Sequence, residues 1–278
     1  MSVSEGTVSK GWPDRILSLN GWLVYVFLYA PILIVMIFSF SDHPNVGIWG
    51  GFTLDWYDRM LGNEQLMRAL RNSVVVALIS TVISTVLGTA AAIALERYRR
   101  WAGKRAFDAL LYLPVIIPDV TMAVMLLLWF SQLGMRLSLT TIILSHIAFN
   151  ISFVAIVVRA RLAHMDDSIE EAAADLYANR WQTFRLVTLP MIWPGVIGGA
   201  LLALTLSLDD VVITSLVQGP GSTTLPVYVF GLIRRAVTPE INAVSTVMLV
   251  ASMVLVFVSL GFQRRAERFD MPREEVDE

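Results

Sequence analysis

Five long stretches of this chain carry no charged side chain. They cover residues 16–41, 72–95, 137–158, 186–208 and 241–263. Crossing a hydrocarbon layer of about 30 Å takes about 20 helical residues. A helix also satisfies its own backbone donors and acceptors inside lipid. The pattern therefore predicts five membrane-spanning helices, with the lipid bilayer as their surroundings.

A sixth apolar stretch, residues 106–133, is long enough to span but is interrupted. Asp108 lies near its start, and Asp119 lies beside Pro118 in its interior. Proline breaks helical hydrogen bonding, and a carboxylate inside lipid is costly enough to mark a functional position. We predict a sixth helix with a kinked or functional interior, and hence a single all-α transmembrane domain over residues 1–278.

The basic residues predict the orientation of these helices. With the N-terminus inside, 15 Lys and Arg side chains fall on cytoplasmic segments and 6 fall outside. Positively charged loops stay in the cytoplasm, so both termini are predicted to be cytoplasmic. Between Arg15 and Asp42 lie 26 uncharged residues. A signal peptide has an apolar core of only about 7–15 residues, so we expect this segment to be retained as an anchor.

Composition excludes several classes of function. The chain is 56% hydrophobic and 16% charged, with a net charge of −2, and no basic run alternates with aromatic residues. A nucleic-acid partner is therefore not expected. Cysteine is absent, which excludes disulfides and thiolate sites. The histidines His43, His146 and His164 lack ligand-like spacing, so no metal site is predicted.

Two outer loops are predicted, at about residues 42–71 and 217–240. The first is longer than a usual helix connection of about 2–8 residues. It carries four aromatic residues, Trp49, Phe52, Trp56 and Tyr57. Such residues are typical of an interfacial aromatic belt or of an amphipathic segment on the membrane surface.

The inner loop, residues 159–190, is predicted to form two short helices. Asp167 and Glu170 have the spacing of a capping box at the start of the first, and Asn179 and Gln182 mark the start of the second. A break near Tyr177 and Ala178 joins them. The first helix has one small apolar side and one acidic side. This arrangement suits either packing on the membrane surface or insertion into a groove of a partner.

The same loop carries a recognisable motif. Glu171-Ala172-Ala173, followed at the expected gap by Val187-Thr188-Leu189-Pro190, resembles the EAA loop of ABC-importer permeases. The resemblance implies the type I ABC-importer permease fold, a second permease subunit and an ATPase dimer. It assigns ATPase coupling to these residues: Glu170, Glu171, Ala172, Ala173, Asp175, Tyr177, Leu189 and Pro190.

One position departs from the family pattern, which has glycine where this chain has Tyr177. Glycine tolerates a positive φ angle and tyrosine does so at a cost. We therefore expect either a different backbone geometry at the turn or a transfer of the glycine-like role to Asn179.

ATP is expected to act from a partner subunit. Neither lysine of the chain lies in a Gly-x-x-x-x-Gly-Lys-Ser/Thr phosphate loop. We therefore predict no cofactor and no catalytic residue in this chain, and place ATP and Mg²⁺ in the ATPase.

The substrate class is indicated by a second resemblance. Residues 206–210, 219–221, 224–226 and 114–119 are similar to the putrescine and spermidine branch of these permeases. This implies polyamine import across a bacterial inner membrane, with a periplasmic polyamine-binding protein. Import of another small organic solute, or an ion-coupled carrier acting alone, remain alternatives. The latter usually shows repeat symmetry, and none is visible here.

Four residues are candidates for the substrate pathway: Asp209, Asp210, Asp119 and Trp129. An acid within a span usually faces a cavity, pairs with a base or binds a cation. Alternatively, Asp209 and Asp210 form a structural cap or a bridge to Arg234 or Arg235. For Asp119 the alternative is a helix kink, and for Trp129 it is packing, although an aromatic ring can also hold an ammonium group.

Overall fold

The computed structural model describes residues 12–98, 101–163, 165–166, 168–235 and 239–270. Within these ranges the chain is built from twelve α-helices and one π-helical turn, with a single isolated β-bridge. The helices are α1 (Trp12–Phe38), α2 (Asp55–Gly62), α3 (Glu64–Arg97), α4 (Lys104–Ile116), α5 (Asp119–Gln132), α6 (Leu139–Ala163), α7 (Ser168–Asp175), α8 (Arg180–Thr183), α9 (Leu189–Asp209), α10 (Val212–Val217), α11 (Leu225–Arg235) and α12 (Pro239–Asp270). The π-helical turn, Phe184–Thr188, joins α8 to α9.

Four helices are long and apolar enough to cross a membrane. They are α1 from Ile16 onward, α3, α6 and the continuous run from α8 through α9, and α4 with α5 makes a fifth if the bent pair is one span. These elements contain most of the first four predicted charge-free runs and the interrupted stretch. The predicted run 241–263 lies within α12, whose apolar part is Pro239–Val254. The six-helix count and the cytoplasmic termini stay predictions.

The chain divides into two compact units. The first unit consists of the chain up to Gly62 together with α12 up to Val250. The second unit consists of Asn63 to Arg235 together with the rest of α12. In the first unit, α1 has none of its apolar residues buried. The loop after α1 folds around Ser41, whose carbonyl accepts a hydrogen bond from Trp56 Nε1 at 2.7 Å. Tyr57 and Ser39 share a second hydrogen bond of 2.7 Å between their hydroxyl groups.

The predicted outer loop 42–71 contains helical structure. Residues 55–62 form the short helix α2, and residues 64–71 already belong to α3, where Asn63 caps the helix by accepting from the N–H groups of Gln65 and Leu66. Two of the four expected interfacial aromatics, Trp56 and Tyr57, hydrogen-bond within the loop. The other expected outer loop, 217–240, likewise contains the helix α11.

The second unit has α3, α6 and α9 as its core. Small residues allow the close approach of these helices. A Cβ on Gly88 of α3 would lie 2.8 Å from the Ile151 carbonyl of α6, and one on Gly199 of α9 would lie 3.3 Å from Val154 of α6. Close approach at small residues is how helices associate in membranes, where lipid removes the hydrophobic driving force. Val154, Ala155, Val158 and Ile192 are fully buried at this junction.

The interrupted stretch is a broken helix. The axes of α4 and α5 meet at 115°. Pro118 has no N–H, and a residue that precedes proline is driven into extended conformation. Ile117 is accordingly extended, with φ −73° and ψ 133°. The expected kink is therefore a complete break, and it places Asp119 at the first position of α5.

Candidate functional site

A cavity of about 310 Å³ lies in the second unit, beside the break between α4 and α5 and the junction of α9 and α10. Three acids contribute to its wall, Asp119, Asp209 and Asp210, together with Met122, Phe149 and Phe153. Three of the four predicted pathway residues thus lie around one space. They come from parts of the chain about 90 residues apart, brought together because α5 and α10 pack against each other.

Asp119 and Asp209 are the exposed acids of this cavity. Asp119 begins α5, and Asp209 ends α9. Within the described residues neither side chain makes a hydrogen bond or an ion pair. Among the described residues no basic side chain pairs with these two carboxylates, so their charge remains available to a cation.

Asp210 has a different role from its neighbour. Its backbone leaves the helix at φ −66° and ψ 125°, and its carboxylate accepts from the N–H groups of Ile213 at 3.1 Å and Thr214 at 2.7 Å. It therefore caps α10. Of the two structural alternatives for the acid pair, the cap is observed at Asp210. Among the described residues no ion pair joins either acid to Arg234, whose guanidinium lies 4.5 Å from the centre of the Phe230 ring. The Arg235 side chain lies outside the described residues.

The buried side chain of His146 contacts Asp210. Its Nε2 lies 3.4 Å from Asp210 Oδ2 and 3.0 Å from Thr214 Oγ1, and its Nδ1 lies 2.7 Å from Ser207 Oγ. Ser207 also shares a hydrogen bond of 3.2 Å with Ser80. The ring is fully buried. This cluster was not predicted, because the three histidines lack ligand-like spacing and no other role was assigned to them. A histidine inside a charge-free span was the available signal.

Trp129 is not part of this cavity. Its side chain is 59% exposed on α5 and is not among the cavity-lining residues. Met122, one turn after the start of the same helix, does line the cavity.

The predicted coupling segment forms two short helices, as expected, with a turn at residues 176–179. Asn179 and Gln182 make a complete capping box, with reciprocal hydrogen bonds of 2.9 and 2.8 Å. The other predicted cap, Asp167, lies outside the described residues. Beside it, the Ser168 N–H donates to Asp166 at 2.9 Å and lowers the pKa of that carboxyl.

Tyr177 itself takes the glycine-like conformation. Its φ is 62°, the one positive φ among the described residues other than glycine. Asn179 has an ordinary φ of −74°. The expectation of a different geometry or of a transfer to Asn179 is therefore wrong. The turn keeps the left-handed backbone, which costs about 1 kcal/mol in a residue with a Cβ atom.

The coupling residues divide into an exposed group and an anchored group. Tyr177 is 97% exposed and its neighbour Leu176, which was not among the predicted residues, is 82% exposed; Glu171, Ala172 and Asp175 are exposed on α7. Leu189 packs against the core between α3, α6 and α9. Pro190, in the first turn of α9, is exposed.

Glu170 belongs to the anchored group. Its carboxylate accepts from Arg97 Nη2 at 2.5 Å and from Thr188 Oγ1 at 2.5 Å. The side chain is about one fifth exposed. It points into the protein, whereas the sequence predicted that it shares the acidic side of this helix with Glu171. Adjacent residues on a helix differ in direction by about 100°, so the two acids face different ways.

Comparison with known proteins decides the family. Residues 84–269 match the family described as binding-protein-dependent transport system inner membrane component. The chain belongs to this family. The chain is 41% identical over 252 residues to the putrescine transport system permease protein PotI of Escherichia coli strain K12, covering 88% of this chain and 90% of that protein. It is 39% identical over 244 residues to the spermidine/putrescine transport system permease protein PotC of Haemophilus influenzae, covering 88% and 95%.

A solved structure agrees on the fold. The crystal structure of a bacterial ABC transporter involved in the import of the acidic polysaccharide alginate superposes with a TM-score of 0.71, at 20% identity, over 91% of this chain and 96% of that one. The predicted all-helical ABC-importer permease fold is confirmed. As an inner membrane component of this family, the chain is a transport subunit and not an enzyme. No cluster of potential metal ligands occurs among the described residues.

Proposed function

We propose that this chain is a permease subunit of an ATP-driven importer that translocates polyamines, with putrescine as the first candidate substrate. The observation that carries the proposal is the cavity with two unpaired carboxylates, Asp119 and Asp209. It occurs in a chain about 40% identical to permeases named for putrescine and spermidine.

The chemistry of the cavity suits an alkyl diammonium ion. An ammonium group loses water when it enters a narrow pathway, and a carboxylate offsets that loss through a charge-assisted hydrogen bond. Phe149 and Phe153 line the cavity, where an aromatic ring can attract a cation, and Met122 offers apolar contact for a methylene chain. The volume of about 310 Å³ is at the small end of ligand cavities, so it favours a short, slender solute.

The partners follow from the family and from the exposed coupling residues. A second permease completes the pathway, and a periplasmic binding protein delivers the substrate. An ATPase dimer, which binds ATP and Mg²⁺, receives the exposed surface formed by Glu171, Ala172, Leu176 and Tyr177. Closure of the ATPase dimer then moves this surface, and the pathway opens alternately to the two sides of the membrane.

The test is uptake by the reconstituted complex. The chain is assembled in proteoliposomes with its second permease and ATPase, and loaded binding protein is supplied outside. We expect ATP-dependent uptake of labelled putrescine or spermidine and none of a neutral diol of the same length. ATP-dependent uptake of the diol, or uptake of neither polyamine by a complex that hydrolyses ATP in response to the binding protein, would assign the permease to another organic solute.

A further inference from the structure

Two consecutive residues at the end of α3 make ion pairs with different helices. Arg97 Nη2 bonds to Glu170 of α7 at 2.5 Å, and Glu96 Oε1 accepts from Arg159 Nε of α6 at 2.9 Å. Neighbouring helical residues point about 100° apart, so the end of α3 reaches two partners at once. The exposed coupling surface is thereby joined to the membrane-spanning part of the second unit.

Glu170 also fixes the start of α9. Thr188 is the last residue of the π-helical turn. Its hydroxyl donates a hydrogen bond to the same carboxylate that Arg97 contacts. Glu170 therefore connects α7, α3 and the α8–α9 run. These two contacts leave the acid about one fifth exposed, which places it inside this junction and away from an incoming ATPase.

Arg159 also makes an ion pair with α4. Its Nη1 bonds to Asp108 of α4 at 2.6 Å, and its guanidinium lies 5.8 Å from the Tyr112 ring centre. The helix α4 is the first half of the broken helix and contributes Pro114 to the cavity. Two sets of ion pairs, joined by the neighbouring residues Glu96 and Arg97, thus run from α7 through α3 and α6 to the helix beside the cavity.

We propose that Glu170 is a positioning residue for energy coupling: through Arg97 and Thr188 it makes α7 move together with α3 and α9, and the Glu96–Arg159–Asp108 pairs extend this movement to α4. The inference rests on the proposed docking of an ATPase to α7. It separates two adjacent acids by role. Glu171 meets the ATPase, whereas Glu170 transmits its movement.

A charged junction suits this task because it is directional and holds its geometry. A bidentate or doubly hydrogen-bonded acid fixes the relative orientation of three elements, whereas apolar contacts among small residues allow sliding. Removing either partner deletes the contact that joins these elements. The elements then move independently, and ATP hydrolysis continues without productive rearrangement of the pathway.

The experiment measures substrate imported per ATP hydrolysed. Glu170→Gln and Arg97→Gln are each assembled with the second permease, ATPase and binding protein, and the amount of co-purified ATPase is recorded. We expect parental co-purification and an import-to-hydrolysis ratio lowered about tenfold, the size of effect that loss of one charge-assisted hydrogen bond has on a two-state equilibrium. Glu64→Gln, at the opposite end of α3, removes a charge from the same helix and should keep the parental ratio.

A reversible link distinguishes positioning from a general structural role. The chain has no cysteine, so Glu170→Cys with Arg97→Cys can be bridged specifically by a reducible bis-methanethiosulfonate in an otherwise cysteine-free complex. The unbridged double variant should be uncoupled, the bridged one should regain a ratio near the parental value, and reduction should abolish the gain. Parental coupling in both Gln variants, or no gain on bridging, would overturn the proposal. If the parental chain itself retains no ATPase, the proposed function fails instead.

Discussion

His146 and Asp210 approach each other at 3.4 Å, between Nε2 and Oδ2, at the junction where α9 ends and α10 begins. The contact gives adjacent acids different roles, because Asp210 is held by His146 and by two backbone N–H groups while Asp209 stays unpaired within the described residues. The buried histidine thus takes part in shaping the cavity without being one of its lining residues.

Loss of the histidine should destabilise this junction. His146→Leu leaves Ser207, Thr214 and Asp210 each without one partner, and a buried unsatisfied polar group costs about 1–3 kcal/mol. We expect a clearly lower midpoint of thermal unfolding in detergent, and tryptophan fluorescence measures this midpoint. His43→Leu, in the loop after α1, provides the matched control and should lower the midpoint far less. Equal midpoints for the two variants would show that the cluster does not stabilise the fold.

The positive φ of Tyr177 predicts that glycine is tolerated better than valine at this position. Tyr177→Gly should retain the turn and relieve about 1 kcal/mol of strain, because glycine adopts φ of 62° freely. Tyr177→Val should disturb it, because a β-branched residue resists positive φ. Circular dichroism and co-purification of the ATPase separate loss of the turn from loss of the exposed ring. Better ATPase retention with Val than with Gly would contradict the left-handed turn.

The docking surface should be sensitive to bulk at Ala172. This residue is exposed on α7 next to Glu171, and a small side chain permits close seating in a groove. Ala172→Trp should leave membrane insertion intact while sharply reducing both ATPase co-purification and uptake. The matched variant Ala172→Ser keeps the size small and should retain both. Unchanged association in the Trp variant would reject docking at this surface.

The predicted orientation can be tested by labelling. Ala178→Cys introduces the only cysteine of this chain at the turn of the coupling segment. If positively charged loops stay inside, an impermeant maleimide should label the residue in inside-out vesicles and not in intact spheroplasts. Labelling in intact spheroplasts would show that this loop lies outside and would contradict the predicted orientation.

The spans could be predicted from the sequence because lipid imposes a simple rule on charge and length. The capping box at Asn179 and Gln182 could also be predicted, because it depends on two residues that are three positions apart in the sequence. The contact of His146 with Ser207 and Asp210 was not, because nothing local to α6 specifies which residues some 60 positions away it will meet. Likewise Pro118 indicates an interruption, but the 115° bend depends on the packing of α4 and α5 against their neighbours. Glu170 was assigned to the surface because a motif specifies residue types and not the direction of each side chain.

We propose that Asp119 and Asp209, unpaired among the described residues, select an ammonium substrate in the cavity. This selection is tested most directly by the putrescine uptake kinetics of complexes carrying Asp119→Asn or Asp209→Asn, beside the parental complex. Both variants preserve side-chain shape and delete a charge. Removal of one charge-assisted hydrogen bond should lower uptake at limiting substrate by about tenfold. ATPase co-purification and ATP hydrolysis stimulated by the binding protein should remain at parental levels. Parental uptake in both variants, with normal assembly, would contradict the claim.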